Sequence, residues 1–442
     1  MKRRLRLSLI TLLALALVAC ASKPARNQIF LMPAPDVYEE GRLDPFIDND
    51  PISRGSLPTI LYATDRAPAT QDDRFEYYSD TRGNMLRLGH ARIALGRDES
   101  ITWEEARRVS LLKNRTDNYP LKISTIQEYG ALEGTISPFN REVERSPKPG
   151  DRFAAAINDE LSHSRSNEVF IYVHGYKVEF ENPILVASEL WHFLGYDGAF
   201  IAYSWPSTSK TLAYFSDLED AANSARRLRA LVLHVARNTD AEKIHIVGYS
   251  AGTRVVTRML ADLGMYGYFM DADEVDAQVK LGNVILVGSD VDRDILGGYL
   301  FDGAIRIPDS LTIYQSTRDK ALSLSKFAFG KNRSGQIVAQ DVDEEGAAHL
   351  ARVFDEEFAN LQLIDVTEAE AGTSGNGHAY FRESPWVSSD VLMTLLYGLP
   401  PEDRGLVRTA ETQVIWSFPE DYITRLRSAL SAVNPAFAEV PD

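Results

Sequence analysis

Gly248-Tyr249-Ser250-Ala251-Gly252 places a serine between two glycines in a G-x-S-x-G pattern, and the chain changes character across it. Before it, Lys243-Ile244-His245-Ile246-Val247 reads as a short strand. After it, Val255, Val256, Met259, Leu260 and Leu263 recur at helical spacing. A strand that turns into a helix within so few residues strains its serine and leaves Oγ exposed. Only glycine-sized neighbours then let the flanking backbone close in. The helix that follows aims its free N–H groups and positive dipole end at the same point. The chemistry expected of Ser250 is nucleophilic attack, for which it needs a base, and the base an acid to orient it.

Eight histidines are available: His90, His163, His174, His192, His234, His245, His349 and His378. Elbows of this kind take their partners in the chain order serine, acid, histidine, which leaves His349 and His378. His349 lies in Glu345-Gly346-Ala347-Ala348-His349-Leu350, which reads as an exposed helix, whereas His378 follows the flexible Thr373-Ser374-Gly375-Asn376-Gly377 after a candidate last strand. His378 is the expected base. For the acid, Asp319 is placed ahead of Asp290, because Arg318 and Lys320 flank the first while Asp292 and Asp294 crowd the second. The oxyanion hole is expected from the backbone N–H of Ala251 and that of Tyr176 or Lys177, with Tyr176 preferred, in the loop after His174-Gly175. His174 itself is expected to bond within that loop, and Trp205-Pro206-Ser207 to shape the pocket.

These residues need a frame, and the apolar runs supply one. Thr59–Ala63, Val169–Val173, Phe200–Tyr203, Val284–Val287, Leu311–Tyr314 and Leu361–Ile364 read as strands, with weaker candidates at Ala91–Leu95 and Leu121–Ile123. Amphipathic stretches lie between several of them, such as Ala222, Ala225, Leu228, Val232 and Val235. Continuous apolar strands alternating with such helices predict an α/β fold, a mostly parallel sheet covered on both faces, whose function gathers at the strands' carboxyl ends.

Several motifs in fixed order resemble one bacterial α/β-hydrolase family, long catalogued as a domain of unknown function with esterase and lipase kinship. They are Tyr62-Ala63-Thr64-Asp65-Arg66, Phe170-Ile171-Tyr172-Val173-His174-Gly175-Tyr176, Tyr203-Ser204-Trp205-Pro206-Ser207, and the elbow at Ser250. Gly288-Ser289-Asp290-Val291-Asp292, Ser316-Thr317-Arg318-Asp319 and His378-Ala379-Tyr380-Phe381 complete the set, and the resemblance runs from about Thr59 to Pro400. The family's elbow often reads H-S-M-G, where Tyr249 and Ala251 stand here, so the pocket wall is expected to differ while the serine and Gly252 are kept. The resemblance implies hydrolysis of an ester-like bond with no metal or cofactor, and names no substrate.

At the amino end, Lys2, Arg3, Arg4 and Arg6 precede an uncharged run from Leu7 to Ala19, too short to span a bilayer comfortably. It ends in Leu17-Val18-Ala19-Cys20, which resembles the lipobox of bacterial lipoproteins, whose cysteine becomes the lipidated first residue of the mature chain. Cys20 is the single cysteine, so no intrachain disulfide is possible, and a thioether to lipid would consume an otherwise exposed thiol. Residues 1–19 are therefore expected to be a signal peptide. Ala21 and Ser22, by resemblance to Gram-negative sorting signals, point to the outer membrane of the cell envelope. From residue 20 to about 57 the chain carries Pro24, Pro33, Pro35, Pro45 and Pro51 among polar and acidic residues, and is expected to be an extended tether. Residues 58–442 would form the hydrolase domain, with a β-rich start and a C-terminal extension.

A net charge of −16 disfavours nucleic acid and anionic headgroups as partners. The expected partners are a small-molecule or lipid ester and, through Cys20, a membrane. The leading expectation is a carboxylic ester hydrolase working through an acyl-enzyme on Ser250. Lipase, thioesterase or peptidase activity on the same triad, and a non-catalytic lipoprotein that binds through the pocket, stand beside it.

Overall fold

The computed structural model describes residues 28–41, 43–46, 59–96, 101–136, 148–207, 214–318, 352, 354, 356–369, 378–409 and 414–433. In chain order its elements are β1 (Thr59–Pro68), β2 (Tyr78–Leu95), α1 (Trp103–Ser110), β3 (Leu121–Ala131), α2 (Pro149–Ser162), β4 (Glu168–Val173) and α3 (Glu181–Phe193). Next come β5 (Ala199–Ser204), α4 (Tyr214–Asn238), β6 (Lys243–Tyr249), α5 (Gly252–Tyr266), α6 (Ala272–Val279), β7 (Leu281–Val287) and α7 (Arg293–Phe301). The last are β8 (Ser310–Gln315), β9 (Leu361–Asp365), α8 (Tyr380–Glu383), α9 (Pro385–Tyr397), β10 (Val407–Arg408), β11 (Ile415–Ser417) and α10 (Tyr422–Val433).

All the strands join one sheet in the order β10-β11-β9-β8-β7-β6-β4-β5-β1-β2-β3. From β11 to β1 every neighbouring pair is parallel, and only β10, β2 and β3 run against their neighbours. The expected α/β fold, a mostly parallel sheet with helices on both faces, is what forms. Strand β4 shows why. Val169, Ile171 and Val173 face one core with α2, α4 and α5, while Phe170 and Tyr172 face the other with α3 and α9. A strand buried on both sides must be apolar throughout, and each fully buried aliphatic or aromatic side chain contributes about 1.5–3 kcal/mol.

The order of strands reverses at β4. The chain passes from β4 outward to β5, then returns to place β6 on the other side. The helices that follow β4 and β6 therefore cover opposite faces, and the loops leaving these two strands meet at the sheet's carboxyl edge, where this architecture opens a crevice.

The amino-terminal segment differs from expectation. Ile29, Leu31, Met32, Val37, Tyr38, Leu43 and Phe46 are buried in the core shared with α3, α9 and α10. The Met32 N–H donates to Glu189 Oε1 at 2.5 Å, the Val37 N–H to Ser389 Oγ at 3.1 Å, and the Tyr38 hydroxyl to the Phe193 carbonyl at 2.7 Å. Proline-rich composition suggested a solvated tether through this stretch. Its interspersed large apolar residues instead pack it against the domain, so residues 28–46, where described, belong to the folded body. Among the described residues no helix is long and apolar enough to cross a membrane. Cys20 and the rest of residues 1–27 lie outside the described residues.

Candidate active site

Ser250 sits between the end of β6 and the start of α5 with φ +52°, a left-handed conformation that L side chains seldom adopt. Three bonds hold it there. Its N–H donates to the Val287 carbonyl at 2.8 Å, and its own carbonyl receives the Thr253 N–H at 3.0 Å and the Thr253 hydroxyl at 2.6 Å. Of the flanking glycines, Gly252 is sterically required and Gly248 is tightly packed. A Cβ on Gly252 would lie 2.3 Å from the His174 carbonyl oxygen, and one on Gly248 would lie 3.0 Å from Val256 Cγ2. Across the crevice, a Cβ on Gly175 would stand 2.8 Å from the Ser250 Cβ. The β4 and β6 loops thus touch at the nucleophile.

His378 Nε2 lies 2.8 Å from Ser250 Oγ, close enough to accept the hydroxyl proton, and the imidazole is nearly enclosed. Its ring packs on that of Tyr249 at 5.2 Å, and Tyr249 packs on Phe381 at 4.9 Å. The residue that departs from the family's usual elbow therefore forms the wall of the histidine. Two positions on, the Tyr380 hydroxyl donates to the Tyr314 carbonyl at 2.9 Å and accepts the Gly288 N–H at 2.7 Å. Ser250 and His378, the nucleophile and base expected from the sequence, thus lie side by side, and the bonds of Tyr380 were not anticipated. His349 lies outside the described residues.

The acid has two candidates of different standing. Asp319 lies outside the described residues, one position past the described turn that ends at Arg318 and follows β8. Asp290, at the end of β7, is buried, and its Oδ2 receives the Arg254 guanidinium at 3.1 Å. Asp292 caps α7, accepting the N–H groups of Asp294 and Ile295. The Arg318 side chain donates to the Thr367 carbonyl at 2.8 Å and to Glu368 at 3.2 Å. Asp290 is engaged by a cation that the sequence argument did not consider.

The loop after β4 carries the most polar bonding. His174 is fully buried, as is Arg66 at the end of β1. Arg66 donates through Nε to Ser204 Oγ at 3.0 Å, and through its two amino groups to the carbonyls of Ser79 at 3.3 Å and Val178 at 2.6 Å. One of those amino groups also lies 3.4 Å from His174 Nε2. Burial pushes the guanidinium down to about 10, while burial and then the Arg66 charge hold His174 well below the ordinary imidazole range, so it is neutral. Trp205, expected to shape the pocket, packs beneath the β4 loop. It is fully buried, stacks on His174 with centroids 5.4 Å apart, and donates its indole N–H to the His174 carbonyl at 2.7 Å. Ser207 Oγ lies 3.3 Å from both the N and the O of Val178. Nearby, Asp65 forms a buried pair with Arg227 at 3.0 Å and accepts the Ser224 hydroxyl at 2.7 Å. Ala251, on the other side, opens α5, whose first N–H groups have no acceptor within the helix. Among the described residues no group of three or more His, Cys, Asp or Glu side chains is placed to hold a metal.

Residues 150–396 match the model of a family described as Alpha/beta hydrolase of unknown function (DUF900). An 82-residue stretch is 35% identical to Uncharacterized protein alr1448 of Nostoc sp., covering 19% of this chain and 21% of that protein. The chain thus matches about a fifth of that relative's length. Among solved structures, an inhibited esterase B from Lactobacillus rhamnosis is 13% identical with a TM-score of 0.29, over 53% of this chain and 77% of that one. Apo esterase 2 of Thermogutta terrifontis is 17% identical with a TM-score of 0.28, over 54% and 86%. Similarity at that level bears on neither substrate nor mechanism. The matched residues hold the β4 loop, the elbow and His378 within the parallel sheet, and the chain belongs to this family of α/β hydrolases.

Proposed function

We propose that this protein is a serine hydrolase that cleaves carboxylic ester-type bonds through an acyl-enzyme on Ser250. The observation that carries the reading is the 2.8 Å approach of His378 Nε2 to the hydroxyl of a serine held at φ +52°. Ser250 Oγ attacks the ester carbonyl as its proton passes to His378 Nε2. The carbonyl oxygen takes up the negative charge and is met by the N–H groups of Ala251 and Tyr176. Collapse of this adduct breaks the bond to the leaving alkoxide, which takes the proton from the imidazolium. Water then repeats the sequence and releases the acid. Asp319 is the acid proposed to hold the imidazolium, since it follows β8, while Asp290 is paired with Arg254.

The test is a fluorophosphonate probe followed by a panel of p-nitrophenyl esters. Labelling of Ser250, lost together with ester turnover in Ser250→Ala, is the expected result. Strong labelling at another serine, or turnover that survives in Ser250→Ala, rejects the reading. For location, we propose that residues 1–19 are removed and that Cys20 carries the lipid that holds the protein at the outer membrane. The supporting observation is the lipobox around a single cysteine. Membrane partition and incorporation of labelled palmitate should both vanish in Cys20→Ala, and unchanged labelling of that variant rejects the proposal.

A further inference from the structure

Arg66 is a fully buried guanidinium whose hydrogen-bond partners, Ser79 O, Val178 O, Ser204 Oγ and His174 Nε2, are all uncharged. Desolvating a cation costs several kcal/mol even after relaxation, and such groups are usually matched by an anion. Asp65, Asp80, Glu181 and Glu179 favour the charge electrostatically, yet the hydrogen bonds of the guanidinium go to two carbonyls, a hydroxyl and an imidazole. Of the bonds it makes, two go to opposite ends of the loop from His174 to Val178, which passes over Ser250, and the other two anchor the guanidinium to β5 and β2.

The geometry at His174 says what is held. Its Nδ1 lies 2.7 Å from the Gly175 carbonyl, and its Nε2 lies 3.0 Å from the Trp205 carbonyl. Both are acceptors, and a neutral imidazole has one proton. The shorter contact takes it, leaving the Nε2 lone pair toward the Arg66 amino group. The Nδ1–H then pins the Gly175 carbonyl inward. In a trans peptide the C=O and N–H point in opposite directions, so pinning the Gly175 oxygen turns the Tyr176 N–H away from buried His174 and outward. Gly175 is the residue whose Cβ would collide with Ser250.

We propose that Arg66, acting through the Nδ1–H tautomer of His174 and the Val178 carbonyl, is the positioning residue that fixes the Gly175–Tyr176 peptide as an oxyanion donor above Ser250. Ser204, Trp205 and Ser207 brace the same unit from β5. This assigns one task to three separate motifs, those at Thr64–Arg66, His174–Tyr176 and Ser204–Ser207. It rests on the serine-hydrolase reading above.

The test combines an observation on the unaltered protein with two variants. Nitrogen NMR of the wild type should show the His174 proton on Nδ1, and a proton on Nε2 overturns the inference whatever the variants do. In Arg66→Met, kcat per titrated site should fall by about 10²-fold, the scale of losing or misplacing one oxyanion donor, with KM within about twofold. Affinity for a trifluoromethyl ketone, which forms the tetrahedral adduct, should fall in parallel. Ser207→Ala, which keeps the buried charge and its cradle, should show the same split at about a tenth of the effect, and it decides the matter if Arg66→Met does not fold. A folded Arg66→Met with kcat within threefold of wild type overturns this inference alone. So does a Ser207→Ala variant that changes KM and not kcat. A wild type that neither labels at Ser250 nor turns over any ester overturns the serine-hydrolase reading, and this inference with it.

Discussion

The Tyr380 hydroxyl and the Gly288 N–H meet at 2.7 Å, and through that bond the histidine loop is fastened to the strand that holds the serine. Gly288 follows Val287, whose carbonyl receives the Ser250 N–H, and Tyr380 stands two residues past His378. Tyr380→Phe should therefore leave the buried Gly288 N–H and Tyr314 carbonyl with only their longer mutual bond of 3.4 Å, costing about 0.5–1.5 kcal/mol of stability. Turnover should drop more than tenfold if a shift of His378 by a fraction of an ångström follows, on the scale of about 10²-fold per ångström. Urea unfolding and kcat on one activated ester check both, and a variant normal in each would show that the bond is incidental.

Gly252→Ala tests the elbow. The added carbon would collide with two carbonyl oxygens, of His174 at 2.3 Å and Val173 at 2.6 Å, both fixed in backbone. Overpacking against groups that cannot move costs roughly 1–3 kcal/mol or more. Fluorophosphonate labelling should be slowed by at least about 10²-fold, since the β4 loop must retreat from Ser250. Gly297→Ala, where nothing lies within 4 Å, is the matched control and should label normally.

For the acid, Asp319→Asn should cost kcat orders of magnitude, about 10⁴ in a chymotrypsin-type enzyme. Asp290→Asn should mainly lower stability, by weakening the bond to Arg254. A crippled Asp290→Asn beside a nearly normal Asp319→Asn reverses the assignment and leaves Ser250 and His378 untouched.

Acid sensitivity should come in part from His192. Burial, then the Arg115 charge, push it from 6.5 to about 3. Ser110 Oγ donates to the Ala106 carbonyl and so accepts His192 Nε2–H at 2.6 Å, which leaves Nδ1 to accept the Tyr196 hydroxyl at 2.6 Å. The folded protein keeps this ring neutral while the unfolded chain protonates it. Its contribution is therefore complete above pH 6.5 and is lost progressively as pH falls toward 3. At about 1.4 kcal/mol per pH unit, wild type should lose ~2–3 kcal/mol more than His192→Gln between pH 6.5 and 4.5. Parallel unfolding curves for the two proteins across that range would refute it.

Asp390 and Arg404 form a pair with no exposure, closed by the hydroxyls of Tyr314 at 2.6 Å and Tyr422 at 3.1 Å. Asp390→Asn leaves Arg404 charged in the core and should cost about 3–5 kcal/mol, whereas replacing both residues with apolar ones of similar volume should recover much of it. Denaturant midpoints of the single and double variants decide this.

What the sequence made legible follows from burial on two sides. Runs such as Val169–Val173 cannot be anything but interior strands, and their ends locate Ser250 and the β4 loop. Strand β3 was only glimpsed, because it is an edge strand whose alternate residues face water, and Lys122, Gln127 and Glu128 dilute the pattern. In α4 the face is the one read, with Ala225, Leu228, Val232 and Val235 all buried, and it differs only at its start, where Ala221 packs inward while Ala222 is exposed. The roles of Arg66, Ser204 and Tyr380 could not be read at all. Arg66 bonds the Val178 carbonyl and the Ser204 hydroxyl, and Tyr380 the Tyr314 carbonyl, all distant in sequence, and nothing in local composition marks such bonds. The buried segment at 28–46 was misjudged because prolines were counted and the apolar residues between them were not.

That segment gives the molecule a mechanical character. Glu189 holds the Met32 N–H at one oxygen and Arg382 at the other, and Arg382 also reaches the Phe30 carbonyl at 3.2 Å. If Cys20 is fixed in a bilayer, residues 20–27 span at most about 28 Å when fully extended, so the domain would hang on a short leash whose load meets first the backbone bonds of Ile29 and Leu31 to Leu121 and Tyr119, and next Glu189 and Arg382. Arg382 lies four residues past His378. On the proposed anchoring, tension would then pass through Arg382 to the neighbourhood of His378, and drag at a membrane surface would become a variable of the proposed reaction's rate.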